Sequence, residues 1–206
     1  MAVALMLILA TGFAGIPRLD RDAPAGQPVP VGVTLRCDAA VPAEALIQAK
    51  TQVLRIFRMA GVQIAWHDCA VPSEHTPTEP AAEHAATPSP LELTIKIVPH
   101  SMADRLQPDD EKIGMAPGIA NARGQLAYVF YDRVESLSEF FSTKIGQVLG
   151  AAIAHEIGHL LLPYHSHSRT GLMCATWVSK DFQDLARGWL LFTPEQGALM
   201  RARLAQ

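Results

Sequence analysis

The chain lacks the charge pattern of a nucleic-acid-binding protein. Its 206 residues include 17 lysines and arginines against 20 aspartates and glutamates, which gives a net charge of −3. No basic run is interleaved with aromatic residues, and aromatic residues make up only 6% of the chain. Hydrophobic residues nevertheless reach 49%, which is enough for one globular domain with a buried core. We therefore expect no nucleic-acid partner, and we separately expect the protein to be a monomer.

Cysteine is scarce, and its spacing does not match a zinc finger. The three cysteines, Cys37, Cys69 and Cys174, lie 32 and 105 residues apart. In an exported protein Cys37 could pair with Cys69, which would stabilise the fold by very roughly 3–4 kcal/mol in the chain-entropy model. Three buried thiols are the alternative.

The apolar run at the start of the chain is too short to span a bilayer. It covers 1–10, has no basic residues before it, and is followed by small residues that would allow cleavage after Ala14. We predict a signal peptide or an apolar N-terminus at 1–14, a flexible linker at 15–30 and a single domain at 31–206. A signal peptide implies a secreted or periplasmic protein, and its absence implies a cytoplasmic one. Neither reading includes a stable membrane span.

Hydrophobic periodicity predicts an α/β (α+β) fold, with a small mixed, twisted sheet. Alternating apolar residues predict strands at 31–37, 62–66, 91–98 and 125–131. Apolar residues three and four apart, together with capping signals, predict helices at 42–60, 133–142, 144–162, 181–188 and 194–204. The stretches 70–90 and 100–124 are predicted to be irregular.

Capping signals set the expected ends of two helices. Asp132 or Ser136 can cap the helix after the fourth strand. In the last helix Thr193 suits the N-cap position, and Gln196 completes a capping box. The last helix is expected to bury its apolar residues, Ala198, Leu199, Ala202 and Leu204.

The helix at 144–162 carries the sequence His155-Glu156-x-x-His159. Histidines four residues apart lie one turn apart on the same face of a helix, so their imidazoles can bind one zinc ion. Glu156 lies one step round the helix, where it can reach a water molecule in an open coordination position. An unpaired buried charge is costly, so an acidic residue in so apolar a helix calls for an explanation. A water molecule bound to zinc would provide one. The pattern predicts one Zn²⁺ per chain.

The third zinc ligand has two candidates. Pro163 should end the helix, and His165 and His167 follow at once. A catalytic zinc site needs only three protein ligands, so at least one of these histidines is expected to be a bystander. A distant acidic ligand, such as Asp181, Asp184 or Glu195, is a weaker alternative.

The segment His155-Glu156-x-x-His159-x-x-Leu162-x-x-His165, followed by Gly171-Leu172-Met173, resembles the metzincin clan of zinc metallopeptidases, whose pattern is H-E-x-x-H-x-x-G-x-x-H with a later Met-turn. The resemblance implies a zincin-like fold in which a helix backs the sheet and the histidine helix forms the active site. It makes His155, His159 and His165 the ligands, Glu156 the general base and Met173 the Met-turn residue. It also implies that the strand 125–131 is an edge strand that pairs with an extended substrate.

This chain has Leu162 at the position of the clan's glycine. A longer segment resembles a group of uncharacterised bacterial proteins with a metzincin-like signature. In that group the recurrent histidine precedes Ser-x-x-Gly-(Ile/Leu)-Met, which makes His167 the third ligand here.

The expected function is a secreted zinc endopeptidase that hydrolyses peptide bonds in a peptide or protein substrate. A zinc-activated water would attack the carbonyl, with Glu156 as general base. The alternatives are a non-catalytic metal- or peptide-binding module on the same scaffold and a zinc hydrolase of a non-peptide bond.

Overall fold

The computed structural model describes residues 30–68, 91–106, 112–117, 125–164 and 166–206. Its strands, β1 to β5, are Val31–Cys37, Ile64–Asp68, Glu92–Val98, Gly114–Met115 and Leu126–Phe130. Its helices, α1 to α6, are Ala43–Met59, His100–Leu106, Tyr131–Phe140, Ile145–Leu161, Ser179–Arg187 and Pro194–Leu204. All four predicted strands and all five predicted helices form, within about two residues of their predicted bounds.

The strands form one mixed sheet in the order β2-β1-β3-β5-β4. The first four strands in this order are parallel, and β4 runs antiparallel to β5. The alternation in β1 has the predicted effect, since Val31, Val33 and Leu35 are buried in the main core. The mixed α/β fold class is thereby confirmed.

The prediction that 125–131 is an edge strand is wrong. β4 pairs with the outer side of β5, with Gly114 opposite Val129, so β4 itself lies at the edge of the described sheet. The region 100–124 was predicted to be irregular, but it contains both β4 and α2. A strand of two residues is too short to show alternation, and a seven-residue helix is too short for a clear helical period.

Helices α1 and α4 pack closely against each other beside the sheet, and two glycines in α4 permit this approach. A Cβ atom on Gly146 would lie 2.5 Å from the Cβ of Gln48, and one on Gly150 would lie 2.6 Å from the Cβ of Gln52. α4 is buried along nearly its whole length, including His155 and Glu156. The histidine helix is therefore held rigidly at the centre of the domain.

Two of the capping and burial predictions are wrong. α3 begins at Tyr131 without a side-chain cap, and the Asp132 carboxylate instead accepts a hydrogen bond from His100 Nδ1 at 2.9 Å. Ser136 donates its hydroxyl to the backbone carbonyl of Asp132. Because α3 begins at Tyr131, with Phe130 at the N-cap position, Asp132 and Ser136 lie inside the helix and not at its cap.

The last helix has the predicted capping box but not the predicted buried face. Thr193 and Gln196 form the box reciprocally. The residues buried in α6 are Gln196, Gly197 and Met200, whereas Ala198, Leu199 and Ala202 are exposed and Leu204 is half-buried. The buried face of α6 therefore includes the polar Gln196 beside the apolar Met200, and hydrogen bonds satisfy the buried glutamine amide.

Several predictions fall outside the described residues. They are the N-terminal segment 1–14, nearly all of the linker at 15–30 and the loop at 70–90. Cys69 is also outside, so its disulfide with Cys37 stays a prediction. Cys174 is buried, whereas Cys37 is exposed, so the alternative of three buried thiols is wrong for Cys37. None of the described helices is long and apolar enough to cross a membrane.

Candidate metal centre

α4 places the first two histidines of the site side by side. His155 and His159 are one turn apart, and their Nε2 atoms are 3.0 Å from each other. Their rings meet edge to face, with centroids 4.7 Å apart. The predicted pairing of the two imidazoles on one helical face is confirmed.

His167 completes a group of three. Its ring centroid lies 4.7 Å from that of His159 and 5.5 Å from that of His155. One ligand atom from each residue can be chosen so that all three lie within 4.8 Å of one another. The three side chains could therefore hold a metal ion. His165 lies outside the described residues, so the choice between the two later histidines is not made by this proximity alone.

Hydrogen bonds on the far side of the rings orient the ligand nitrogens. His155 Nδ1 donates to the backbone carbonyl of Leu172 at 2.8 Å, which leaves the lone pair of its Nε2 directed into the group. His159 Nδ1 lies 3.2 Å from Ser166 Oγ, which can accept its proton in the same way. The indole of Trp177 also donates to the Leu172 carbonyl, at 3.1 Å. Such outer contacts are typical of metal-binding histidines.

Burial keeps the two helix histidines neutral. It lowers the pKa of His155 to about 4; the hydrogen bond to Leu172 opposes this shift, and His167 adds to it. Burial and the neighbouring imidazoles lower the pKa of His159 to about 3. Neutral imidazole is the form that binds metal, so both side chains are ready to act as ligands at neutral pH.

The number and type of these ligands, and the spacing of the first two, are compatible with zinc. A tetrahedral zinc site with Zn–N bonds of about 2.0–2.1 Å requires nitrogen atoms roughly 3.3 Å apart. The separation of 3.0 Å between the two Nε2 atoms is close to that value. Three protein ligands would also leave one position open, as in catalytic zinc sites.

Glu156 follows His155 in α4 and is buried without a hydrogen-bond partner for its Oε2 atom. It is 2% exposed, and burial raises its pKa to about 8, although the positive charge of Lys112 opposes the shift. The backbone of β4 covers it, since a Cβ atom on Gly114 would lie 2.5 Å from Glu156 Oε1. A buried, unpaired carboxyl group is costly, which is typical of a functional group.

Met173, the residue for which the resemblance implies a Met-turn role, packs against the histidine helix. It is fully buried, and a Cβ atom on Gly158 would lie 2.6 Å from its sulfur atom. The chain reaches this position through a tight turn at Gly171, whose φ of +80° favours glycine. The Ser168 amide then donates to the Met173 carbonyl at 2.9 Å, which closes the loop under α4.

The acidic alternatives are engaged elsewhere. Asp181 accepts a hydrogen bond from the amide of Val178 at the start of α5, and Asp184 pairs with Lys180. Neither belongs to the group of side chains that could hold a metal, and nor does Glu195. The histidine-only ligand set is therefore favoured.

Sequence reasoning missed three contributors to this site. Gly114 belongs to a strand too short to predict, and Trp177 lies in an irregular segment without a motif. Gln196 was recognised for its capping box, which is a local signal. Its other contacts, to Ser166 and Ser168, join residues about 30 positions apart, and no local sequence pattern predicts such contacts.

Comparison with protein-family models gives no match, and no curated protein matches the chain. The resemblance to metzincins therefore depends on the histidine motif and the methionine turn.

Proposed function

We propose that the chain is a zinc-dependent endopeptidase in which His155, His159 and His167 hold one zinc ion. The observation that carries the proposal is the convergence of three imidazoles within 4.8 Å. The buried Glu156 beside them, with an oxygen atom that lacks a partner, supplies the second component of such a site.

Glu156 would be the group that transfers protons. Zinc, when bound, supplies Lewis-acid chemistry that acidifies water and polarises a carbonyl group. Glu156 then accepts the proton of the attacking water and returns it to the leaving amine. Its pKa of about 8 lies near the pH at which such an enzyme works, which suits a group that must both accept and release a proton.

The edge of the sheet suits a peptide substrate. β4 pairs on one side with β5, and no described strand pairs with its other side. An extended peptide that added to this edge would gain backbone hydrogen bonds. It would also run past Gly114, which touches Glu156, so the bond to be cleaved would lie near the general base.

A non-catalytic metal-binding module is the second candidate. Glu156 is only 2% exposed, whereas a general base must reach a water molecule. If this carboxyl group stays covered by β4, the histidines would bind metal without hydrolysis.

Metal analysis and peptide cleavage separate these functions. The purified protein should contain about one zinc ion per chain, and a peptide library should be cleaved by the wild type but not by Glu156→Gln. The Gln side chain keeps the shape of Glu156 but cannot accept the proton. Zinc without cleavage would favour the binding module, and a protein that binds no zinc would rule out both functions.

A further inference from the structure

The first turn of α6 contacts the loop that carries His167. Gln196, at this turn, is 7% exposed and uses both ends of its amide. Its Oε1 accepts the backbone N–H of Thr193 at 2.9 Å, which is the contact expected of a capping box. Its Nε2 donates to the Ser166 carbonyl at 3.4 Å and to Ser168 Oγ at 3.2 Å. A cap alone needs only the first of these contacts.

The two donated hydrogen bonds fall on either side of His167. Ser168 Oγ can accept from Gln196 because its own proton is donated to the Thr170 carbonyl at 2.8 Å. Ser166 Oγ in turn lies 3.2 Å from His159 Nδ1. The buried amide of Gln196 therefore holds the backbone just before His167 and the side chain just after it. Because Ser166 also orients His159, the same amide supports a second histidine.

His167 needs such support more than the other two histidines. His155 and His159 lie on a long, buried helix, whose backbone hydrogen bonds set their positions. His167 is exposed and lies outside every described helix and strand, although the next residue, Ser168, forms an isolated bridge with Cys174. Metal ligands must be held within about 0.5 Å of their working geometry by surrounding contacts.

We propose that Gln196 is a positioning residue for metal binding: its side-chain amide fixes the segment 166–168 so that His167 meets His155 and His159. The inference rests on the metal site of the proposed function, but not on catalysis. It assigns the amide of Gln196 a role separate from helix capping.

The variant Gln196→Glu separates helix capping from positioning of the segment 166–168. Gln196→Glu keeps the shape and the acceptor for the Thr193 amide, since capping boxes use Glu as well as Gln. It removes both donated hydrogen bonds to the loop. We expect the dissociation constant for Zn²⁺, measured by competition with a chromogenic chelator, to rise about 10- to 100-fold, the range known for outer contacts of metal ligands.

Thr193→Ala is the matched control. It removes the hydroxyl that accepts from the Gln196 amide and leaves the two contacts to the loop in place. It should lower the melting temperature without changing zinc affinity. Zinc affinity of Gln196→Glu within twofold of the wild type, or equal losses in both variants, would overturn the inference.

Ser168→Ala and a hydrogen-exchange measurement on the metal-free protein test the same role of Gln196 in other ways. If Gln196→Glu does not fold, Ser168→Ala deletes one of the two contacts and should weaken Zn²⁺ binding about twofold to tenfold, as a single hydrogen bond would. Hydrogen exchange of the Ser168 amide in the metal-free protein should be faster in Gln196→Glu. If the Ser168 amide exchanges at the same rate in Gln196→Glu and in the wild type, the positioning role is refuted. If exchange is faster in the variant but the wild type binds no zinc, only the metal site is refuted.

Discussion

Replacing Gly114 with alanine should disturb Glu156 directly. The new Cβ atom would lie 2.5 Å from Glu156 Oε1 and 2.7 Å from the backbone oxygen of Tyr128. Ordinary van der Waals contact begins near 3.4 Å, so the overlaps are about 0.9 Å (3.4 − 2.5) and 0.7 Å (3.4 − 2.7). Tyr128 is part of the neighbouring strand β5 and cannot easily yield. Either Glu156 or the short strand β4 must therefore move.

Two effects of Gly114→Ala are expected, one on stability and one on kcat. Overpacking of this kind costs about 1–3 kcal/mol, and the lower entropy of an unfolded alanine offsets up to about 1 kcal/mol. We expect Gly114→Ala to reduce the free energy of unfolding of the metal-free protein by about 1–2 kcal/mol. A shift of roughly 1 Å in a reacting group costs about 100-fold in rate, so kcat should fall by about that factor. Zinc affinity should stay unchanged, because the histidines are not touched.

A double-mutant cycle tests the contact even without enzymatic activity. Glu156→Asp withdraws the carboxyl group by one methylene, so Gly114→Ala should be less destabilising in that background, with a coupling of about 0.5–3 kcal/mol in urea denaturation. Gly32→Ala is the control, since its Cβ would meet the side chain of Glu92 in another part of the sheet. It should show no coupling to Glu156→Asp. Additive effects at Gly114, or an unaltered kcat, would refute the reasoning.

Two further predictions concern the third ligand and the helix packing. His167→Ala should weaken Zn²⁺ binding by more than about 100-fold, beyond the range for outer contacts, whereas His165→Ala should retain zinc; the reverse result would make His165 the ligand. Gly150→Ala should lower the free energy of unfolding by about 1–3 kcal/mol in urea denaturation, because its Cβ would lie 2.6 Å from the Cβ of Gln52 and 2.8 Å from the Ala49 carbonyl. Gly197→Ala, where the closest atom is 3.2 Å away, should cost clearly less, and equal losses would contradict a packing role for Gly150.

The parts of the fold that the sequence predicts well are those with a local period. The histidine helix was predicted at 144–162 and runs over Ile145–Leu161. Its spacing alone implies that His155 and His159 share a face, because the pitch of an α-helix needs no tertiary information. The strands β1 and β3 carry an equally clear alternation, and their bounds agree with the prediction to within a residue.

The missed parts depend on contacts between distant segments. β4 consists of two residues that pair with β5, and a strand this short has no hydrophobic periodicity from which it could be predicted. The buried face of α6 centres on Gln196, because hydrogen bonds to the loop 166–168 make burial of a polar amide acceptable. A rule that buries apolar residues selects Leu199, which is 50% exposed, whereas the buried face pairs Gln196 with the apolar Met200, which is 0% exposed.

The path of the chain after α4 favours His167 over His165 as the third ligand. In the clan pattern a glycine ends the helix and turns the chain back toward the metal. Leu162 takes that place here with φ −92° and ψ 164°, an extended conformation that needs no glycine. Its amide still donates to the Gly158 carbonyl and its side chain is buried, so the conformation of Leu162 is held in place. The chain bends at Leu162 and turns at Tyr164, and the segment that follows brings the His167 ring to 4.7 Å from that of His159, which is why we expect His167 to be the third ligand.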